Sequence, residues 1–233
     1  MKFKVPLLEG VLLKRYKRFL ADVRLQDGRE ITAHCPNPGA MLDIVSPGLP
    51  VWLTAYPIES SRKLKFTWEI VKHNGIFIGV NTNHPNNIVE EALQIKKIPE
   101  FAAYSLWRRE VKYGINSRID FLLEDPHLPP CYLEVKNVHL KRDGYVQFPD
   151  SITLRGTKHL KELEAIKQQG ARAVILYVVQ RDDCDRFKPA DNIDPVYART
   201  AYNAKLHGVE TLCYNCCVTP QEIFLNKQIT VEL

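Results

Sequence analysis

No apolar run in the 233-residue chain approaches the length of a membrane span, and Met1-Lys2-Phe3-Lys4-Val5-Pro6 carries no hydrophobic signal segment. The expectation is therefore a cytoplasmic protein with no membrane partner. The chain also lacks internal repeats and low-complexity linkers. No helix-turn-helix or zinc-finger pattern is present to read a DNA major groove. Six cysteines, Cys35, Cys131, Cys184, Cys213, Cys216 and Cys217, are expected as reduced thiols. Cys213 and Cys216 form a single C-x-x-C with no second ligand pair at finger spacing, so a zinc site is not expected.

What is present is an ordinary globular composition, 45% hydrophobic and 25% charged, with a net charge of +5. The charge is unevenly placed. Residues 1–85 hold 12 Lys and Arg against 7 Asp and Glu, whereas residues 86–233 hold 20 of each. The excess gathers in Lys14-Arg15-Tyr16-Lys17-Arg18 and Arg62-Lys63-Leu64-Lys65. A one-sided basic surface points to a polyanion such as DNA.

The two regions also differ in pattern. Residues 1–85 read as short strands. Phe19–Leu25 and Arg29–Cys35 flank an Asp27-Gly28 bend, and strands follow at 51–56, 66–71 and 76–80. An OB-like β-barrel is the first choice and an SH3-like barrel the alternative. Residues 86–233 read as α/β. A helix begins near Asn86 as its cap, and two strands surround the turn-rich segment 124–130. A helix over 157–166 follows, then the apolar strand 171–179, a helix from Pro195 to Leu206 and a strand near Leu212.

The chemistry concentrates in Arg118-Ile119-Asp120 and Glu134-Val135-Lys136. On a strand, Glu134 and Lys136 project to one face while Val135 turns to the core. Pairing the two strands brings Asp120 alongside. Two carboxylates and a lysine can hold a hard cation and polarise water, as nucleases do. E-x-K on an exposed strand is also an ordinary ion-pairing pattern. A further acid from the preceding helix, Glu90 or Glu91, is expected to join, with Glu91 on the metal; either also suits a solvated helix end. Asp150 is either a supporting residue or part of a turn.

Several segments resemble the sugar fermentation stimulation protein A (SfsA) family of bacteria and archaea. They are Arg15–Val23, His34-Cys35-Pro36-Asn37-Pro38-Gly39-Ala40-Met41, Thr67-Trp68-Glu69, Glu110–Gly114, Ser117–Phe121, Glu134-Val135-Lys136, Phe148-Pro149-Asp150 and Arg155–Leu160. The resemblance runs from about residue 10 to the C-terminus. It implies a DNA-binding protein linked to regulation of sugar (maltose-type) metabolism, with an N-terminal OB-like domain and a C-terminal PD-(D/E)XK nuclease-like domain. Asp120, Glu134 and Lys136 match the nuclease positions, and the implied cofactor is Mg²⁺ or Mn²⁺. Pro38 stands where the family more often has Thr, and Asn137 where Ser is usual.

The reading therefore assigns Asp120, Glu134 and Lys136 to catalysis, with Asp120, Glu134 and Glu91 on the metal. DNA contacts are assigned to Arg15, Tyr16, Lys17, Arg18, Asn37, Arg155, Lys158 and His159. Phe19 is expected in the core. DNA binding of low sequence specificity leads, active phosphodiester hydrolysis is the alternative, and a homodimer is left open.

Overall fold

The computed structural model describes residues 1–113 and 117–233; Gly114, in one family-like segment, lies outside the described residues. Alternation of apolar and polar residues builds the N-terminal strands β1 (Leu8–Tyr16), β2 (Leu20–Leu25), β3 (Glu30–His34), β4 (Pro50–Ala55), β5 (Phe66–His73) and β6 (Ile76–Gly79). They form one sheet in the order β3-β2-β1-β4-β5-β6, and His34 pairs with Thr67 so that β3 meets β5. Strands β1 to β5 thus close into a five-stranded OB-like barrel. Its interior holds Leu12, Ala21, Val23, Ala33, Leu53 and Trp68, all fully buried. The expected hairpin turns at Asp27-Gly28, a second turns at Asn74-Gly75, and both glycines adopt the positive φ such bends require.

Strand β1 was not anticipated. Its basic end, Lys14-Arg15-Tyr16, reads as a surface patch, yet Leu12 is buried in the barrel, and a register shift between Leu12 and Lys14 turns Lys14 outward.

The C-terminal part continues with α1 (Pro85–Gln94), a single 3₁₀ turn at Pro99–Phe101, β7 (Leu106–Tyr113), β8 (Ser117–Asp125), β9 (Leu128–Val138), β10 (Leu140–Arg142) and β11 (Tyr145–Phe148). Then come α2 (Leu154–Gln168), β12 (Arg172–Val179), β13 (Arg186–Pro189), α3 (Pro195–Leu206), β14 (Glu210–Val218), β15 (Ile223–Gln228) and β16 (Thr230–Val231). The main sheet runs β15-β14-β12-β9-β8-β7, with β9, β12 and β14 parallel and the flanking strands antiparallel. Strands β10, β11, β13 and β16 make a smaller sheet.

Central strand β12 is apolar from Ala173 to Val179 because both its faces are covered. Val174, Leu176 and Val178 pack in one cluster with Ile88, Val89 and Ala92 of α1. Ile175, Tyr177 and Val179 pack in the other with Leu160 and Leu163 of α2 and Ala201 of α3. Thr153 caps α2 by accepting the Gly156 amide (3.0 Å), and Gly170 follows the helix with φ +90°. No helix among the described residues is long and apolar enough to cross a membrane.

The two parts share a core, since Trp52 and Ile70 of the barrel lie in the α1 cluster. Arg15 further fixes the loop that joins them. Its guanidinium donates to the carbonyls of Arg18 (2.9 Å), Asn37 (2.8 Å), Gly39 (2.9 Å) and Ala40 (3.1 Å). Asp150 answers from the other side by accepting the Met41 amide at 2.8 Å. A methyl group on Gly39 would collide with both Asp150 carboxylate oxygens. Gly39→Ala is therefore expected to cost about 1–3 kcal/mol through overpacking, read as a lower thermal midpoint in calorimetry.

Asp183 provides a pH-sensitive contact. It accepts from Arg181 (2.6 and 2.8 Å) and Lys141 (2.9 Å). Burial opposes its charge, but these cations win and hold its carboxyl at about 2. A carboxyl depressed on folding stabilises above its unfolded pKa of about 4, and that stability fades as pH falls toward 2. Allowing for solvent screening, the contribution is about 1–2 kcal/mol. Urea midpoints of wild type and Asp183→Asn should differ at pH 6 and draw together as pH drops below 4.

Candidate functional site

Register places the site. Phe121 pairs with Leu133 across β8 and β9, which sets Asp120 beside the Glu134–Lys136 segment. The connecting turn is tighter than the sequence implied, because Asp125 already pairs with Leu128 and Pro129 and Pro130 belong to β9. Val135 is buried on the α1 side, as alternation demands, and its amide donates to Asp120 Oδ2 at 2.7 Å. Asn86 Nδ2 donates to Asp120 Oδ1 at 2.8 Å.

Glu134 is 2% exposed. Its Oε1 accepts from Lys136 Nζ (2.6 Å) and from His159 Nδ1, while Oε2 has no hydrogen-bond partner. His159, on the first turns of α2, receives the Arg155 Nε–H on its Nε2 at 3.3 Å. Nδ1 therefore carries a ring proton and donates its hydrogen bond to Glu134 Oε1. Lys136 Nζ lies 3.2 Å from the same Nδ1.

The electrostatics separate the two carboxylates. Burial, then the charge of Glu134, pushes Asp120 up to about 6. Burial would also raise Glu134, but the His159 hydrogen bond and the Lys136 charge outweigh it and hold this carboxyl below its ordinary value. Buried Glu134 and half-buried Asp120 share the one lysine, Lys136, and Glu134 Oε2 is left an orphaned buried oxygen.

Glu91 does not reach this centre; it binds the Met1 amino group. Asn86 points at Asp120, and a helix turns about 100° per residue, so a position five later faces well away. Glu90 is held by Arg109 at 2.7 Å. The α1 contribution is thus an amide, not a third acid. Asn86 is not the cap either: His84 occupies that position and Asn86 sits inside the first turn, its side chain turned to Asp120. Among the described residues no group of three or more His, Cys, Asp or Glu side chains is arranged to hold a metal ion.

The expected DNA-contact residues divide. Arg15 is consumed by backbone carbonyls, and Tyr16 donates to Asp22 at 3.1 Å. Asn37 is buried, with Nδ2 on the Val80 carbonyl and Oδ1 on the Gly39 amide. His159 belongs to the Glu134 cluster. Lys17, Arg18, Arg155 and Lys158 are exposed, with Lys158 3.6 Å from Glu162 and Arg18 donating to the Pro38 carbonyl. Phe19, expected in the core, is 53% exposed on the three-residue β1–β2 turn, beside a hollow also lined by Lys17, His34, Arg62 and Lys63. An aromatic next to clustered Lys and Arg was the only sequence signal for this surface. All six cysteines are free, and Cys213 and Cys216 are buried.

With this geometry in hand, two family models match: the SfsA N-terminal OB domain over residues 13–80, and the sugar fermentation stimulation protein RE domain over residues 83–222. The chain belongs to the sugar fermentation stimulation protein family. It is 53% identical over 233 residues to the sugar fermentation stimulation protein homolog of Paramagnetospirillum magneticum, covering 100% of this chain and 98% of that one. A Ruegeria homolog is 55% identical over 225 residues, covering 96% and 97%. The solved structure of Pyrococcus furiosus SfsA in complex with Ca²⁺ superposes with a TM-score of 0.90 at 26% identity, over 100% of this chain and 98% of that one. Family members thus share the entire two-part fold.

If Glu134 Oε2 is open to a cation, 5 mM Mg²⁺, Mn²⁺ or Ca²⁺ should raise the thermal midpoint of the wild type by a few degrees, as a ligand binding the folded state must. Glu134→Gln should lose that shift while keeping its fold by circular dichroism.

Proposed function

We propose that this protein binds DNA through its phosphate backbone with little base specificity, acting in the cytoplasm in the regulation of sugar (maltose-type) metabolism. The observation that carries the binding reading is the exposed barrel face where Phe19 stands among Lys17, Arg62 and Lys63. No carboxylate lines that hollow. An aromatic beside a basic groove is how OB surfaces engage nucleic acid. Family membership supports the sugar-linked role.

A second reading, metal-dependent hydrolysis of phosphodiester bonds, is favoured by the orphaned Glu134 Oε2 beside Asp120. Two carboxylate oxygens suit a hard divalent cation that keeps several of its waters, such as Mg²⁺ or Mn²⁺, and the Ca²⁺ complex of the Pyrococcus furiosus relative agrees with that class. Asp120 and Glu134 would hold the ion, which supplies charge stabilisation and an acidified water. The chain's own groups do the rest. Lys136 Nζ stands where it can orient the attacking water and neutralise charge on the phosphoryl oxygens. His159 keeps Glu134 ionised and fixed in orientation. Arg155, exposed at the start of α2, meets the phosphate.

Binding of a labelled duplex should weaken steeply with salt, because displaced counterions drive it. A salt-independent constant would refute phosphate-led recognition. For the second reading, purified protein with Mg²⁺ or Mn²⁺ should cleave DNA, and Asp120→Ala should slow cleavage by at least about a hundredfold. Cleavage persisting in that variant would remove the site from the reaction.

A further inference from the structure

Three hollows on the surface run into one another. The first lies at Phe19, Arg62 and Lys63 on the barrel. The second shares Lys17, Phe19 and His34 with it and continues over Arg18 to Asn37, Pro38 and Thr82. The third shares Arg18, Asn37, Pro38 and Thr82 with the second and is a cleft of about 340 Å³ between the two parts of the chain. It ends at Thr153, the cap of the helix that carries Arg155 and His159.

The lining changes character along this path. The barrel stretch carries Lys17, Arg18, Arg62 and Lys63 and no acid. The cleft carries one acid, Asp150, already engaged by the Met41 amide. It also holds two polar side chains that are 4% exposed and incompletely satisfied, His139 and Gln147. Asn137 Nδ2 faces His139 Nδ1 at 3.4 Å, which leaves the ring proton on Nε2. That N–H lies 3.2 Å from Asp150 Oδ2 without the alignment of a hydrogen bond. Gln147 Oε1 accepts nothing. Buried polar atoms without partners are uncommon in native proteins and call for a ligand or water.

Resting on the DNA-binding reading above, we propose that this groove holds single-stranded DNA, with one base stacked on Phe19 and an unstacked base seated in the interdomain cleft against His139 and Gln147. The cations of the barrel stretch follow the phosphates. The cleft, which contains a carboxylate, takes the uncharged base. The His139 N–H, near Asp150 but not aligned to it, and the free Gln147 carbonyl complement the acceptors and donors on a base edge. Paired, stacked bases of a duplex reach neither Phe19 nor the cleft, so the groove selects for single strands. Lys17 and Arg18 both hold left-handed backbone, φ 49° and 63°, and this turn sets Phe19 at the surface. Non-glycine residues kept in that region frequently mark functional sites.

Fluorescence anisotropy of the full chain with a labelled 12-nucleotide strand and with the same sequence as duplex tests the proposal. The single strand should bind at least tenfold tighter. Phe19→Ala, at an exposed position that leaves the core intact, should erase about tenfold of single-strand affinity. Gln147→Leu, checked for folding by its thermal midpoint, should dim the fluorescence gain of a 2-aminopurine base placed in the strand. Equal affinity for strand and duplex, with no effect of Phe19→Ala, overturns the groove and leaves backbone binding standing. An unchanged 2-aminopurine signal in folded Gln147→Leu overturns the cleft as base pocket. Absence of binding to either form overturns both this proposal and the reading beneath it.

Discussion

Two carboxylates on neighbouring strands, Glu134 buried and Asp120 half-buried, tied by the Val135 amide that Asp120 accepts, are the constraint around which the C-terminal part is arranged. Like charges in a poorly hydrated setting repel strongly. Asn86 steadies Asp120, and Lys136 and His159 steady Glu134. Those partners come from α1, β9 and α2, so the pairing of β8 with β9 and the seating of both helices all converge on one pair of acids. Burial still leaves Asp120 short of full stabilisation as an anion. A centre tuned only for stability would have no such tension, and sites that keep it are commonly the ones that work.

The join between the two parts serves the same end. Gln180, just past β12, donates to the Asn81 carbonyl (3.0 Å) and to Asn137 Oδ1 (2.6 Å), one residue beyond Lys136. Its own backbone carbonyl receives the Gly79 amide (2.9 Å). The barrel is therefore bonded to the strand ends that carry the site, and Trp52 and Ile70 extend a single core across the boundary. Asn137 is used in this joint. Arg15 and Asp150 complete it by gripping opposite sides of the 37–41 loop. The barrel and the acidic centre consequently hold a fixed mutual geometry.

Much of this was legible in the residues. Period-two alternation identified β2 to β6, and the Asp27-Gly28 and Asn74-Gly75 bends located their hairpins. Helix α3 was read with its observed limits, Pro195 to Leu206, and the structure adds Asp194 as its cap and Gly208 just past its end. Strand β1 escaped because its charged residues face outward in a row that resembles a simple basic patch. Short strands β10, β13 and β16 escaped because a few residues carry no periodicity. At the centre, the i, i+2 spacing correctly placed Glu134 and Lys136 on one face, since that follows from backbone geometry alone.

The amino-acid sequence by itself determined the two-part plan, the strand carrying Glu-x-Lys and the family, because these rest on local periodicity and on ordered motifs. Tertiary structure decided which side chains meet. It gave Asn86 to Asp120 and sent Glu91 to the chain's amino end, since helix phase against a sheet depends on packing over the whole domain. It turned Arg15 from a phosphate ligand into a clamp on a loop 22 to 25 residues away. It also left Phe19 in solvent, because three residues of turn geometry outweigh the preference of one aromatic ring for the core.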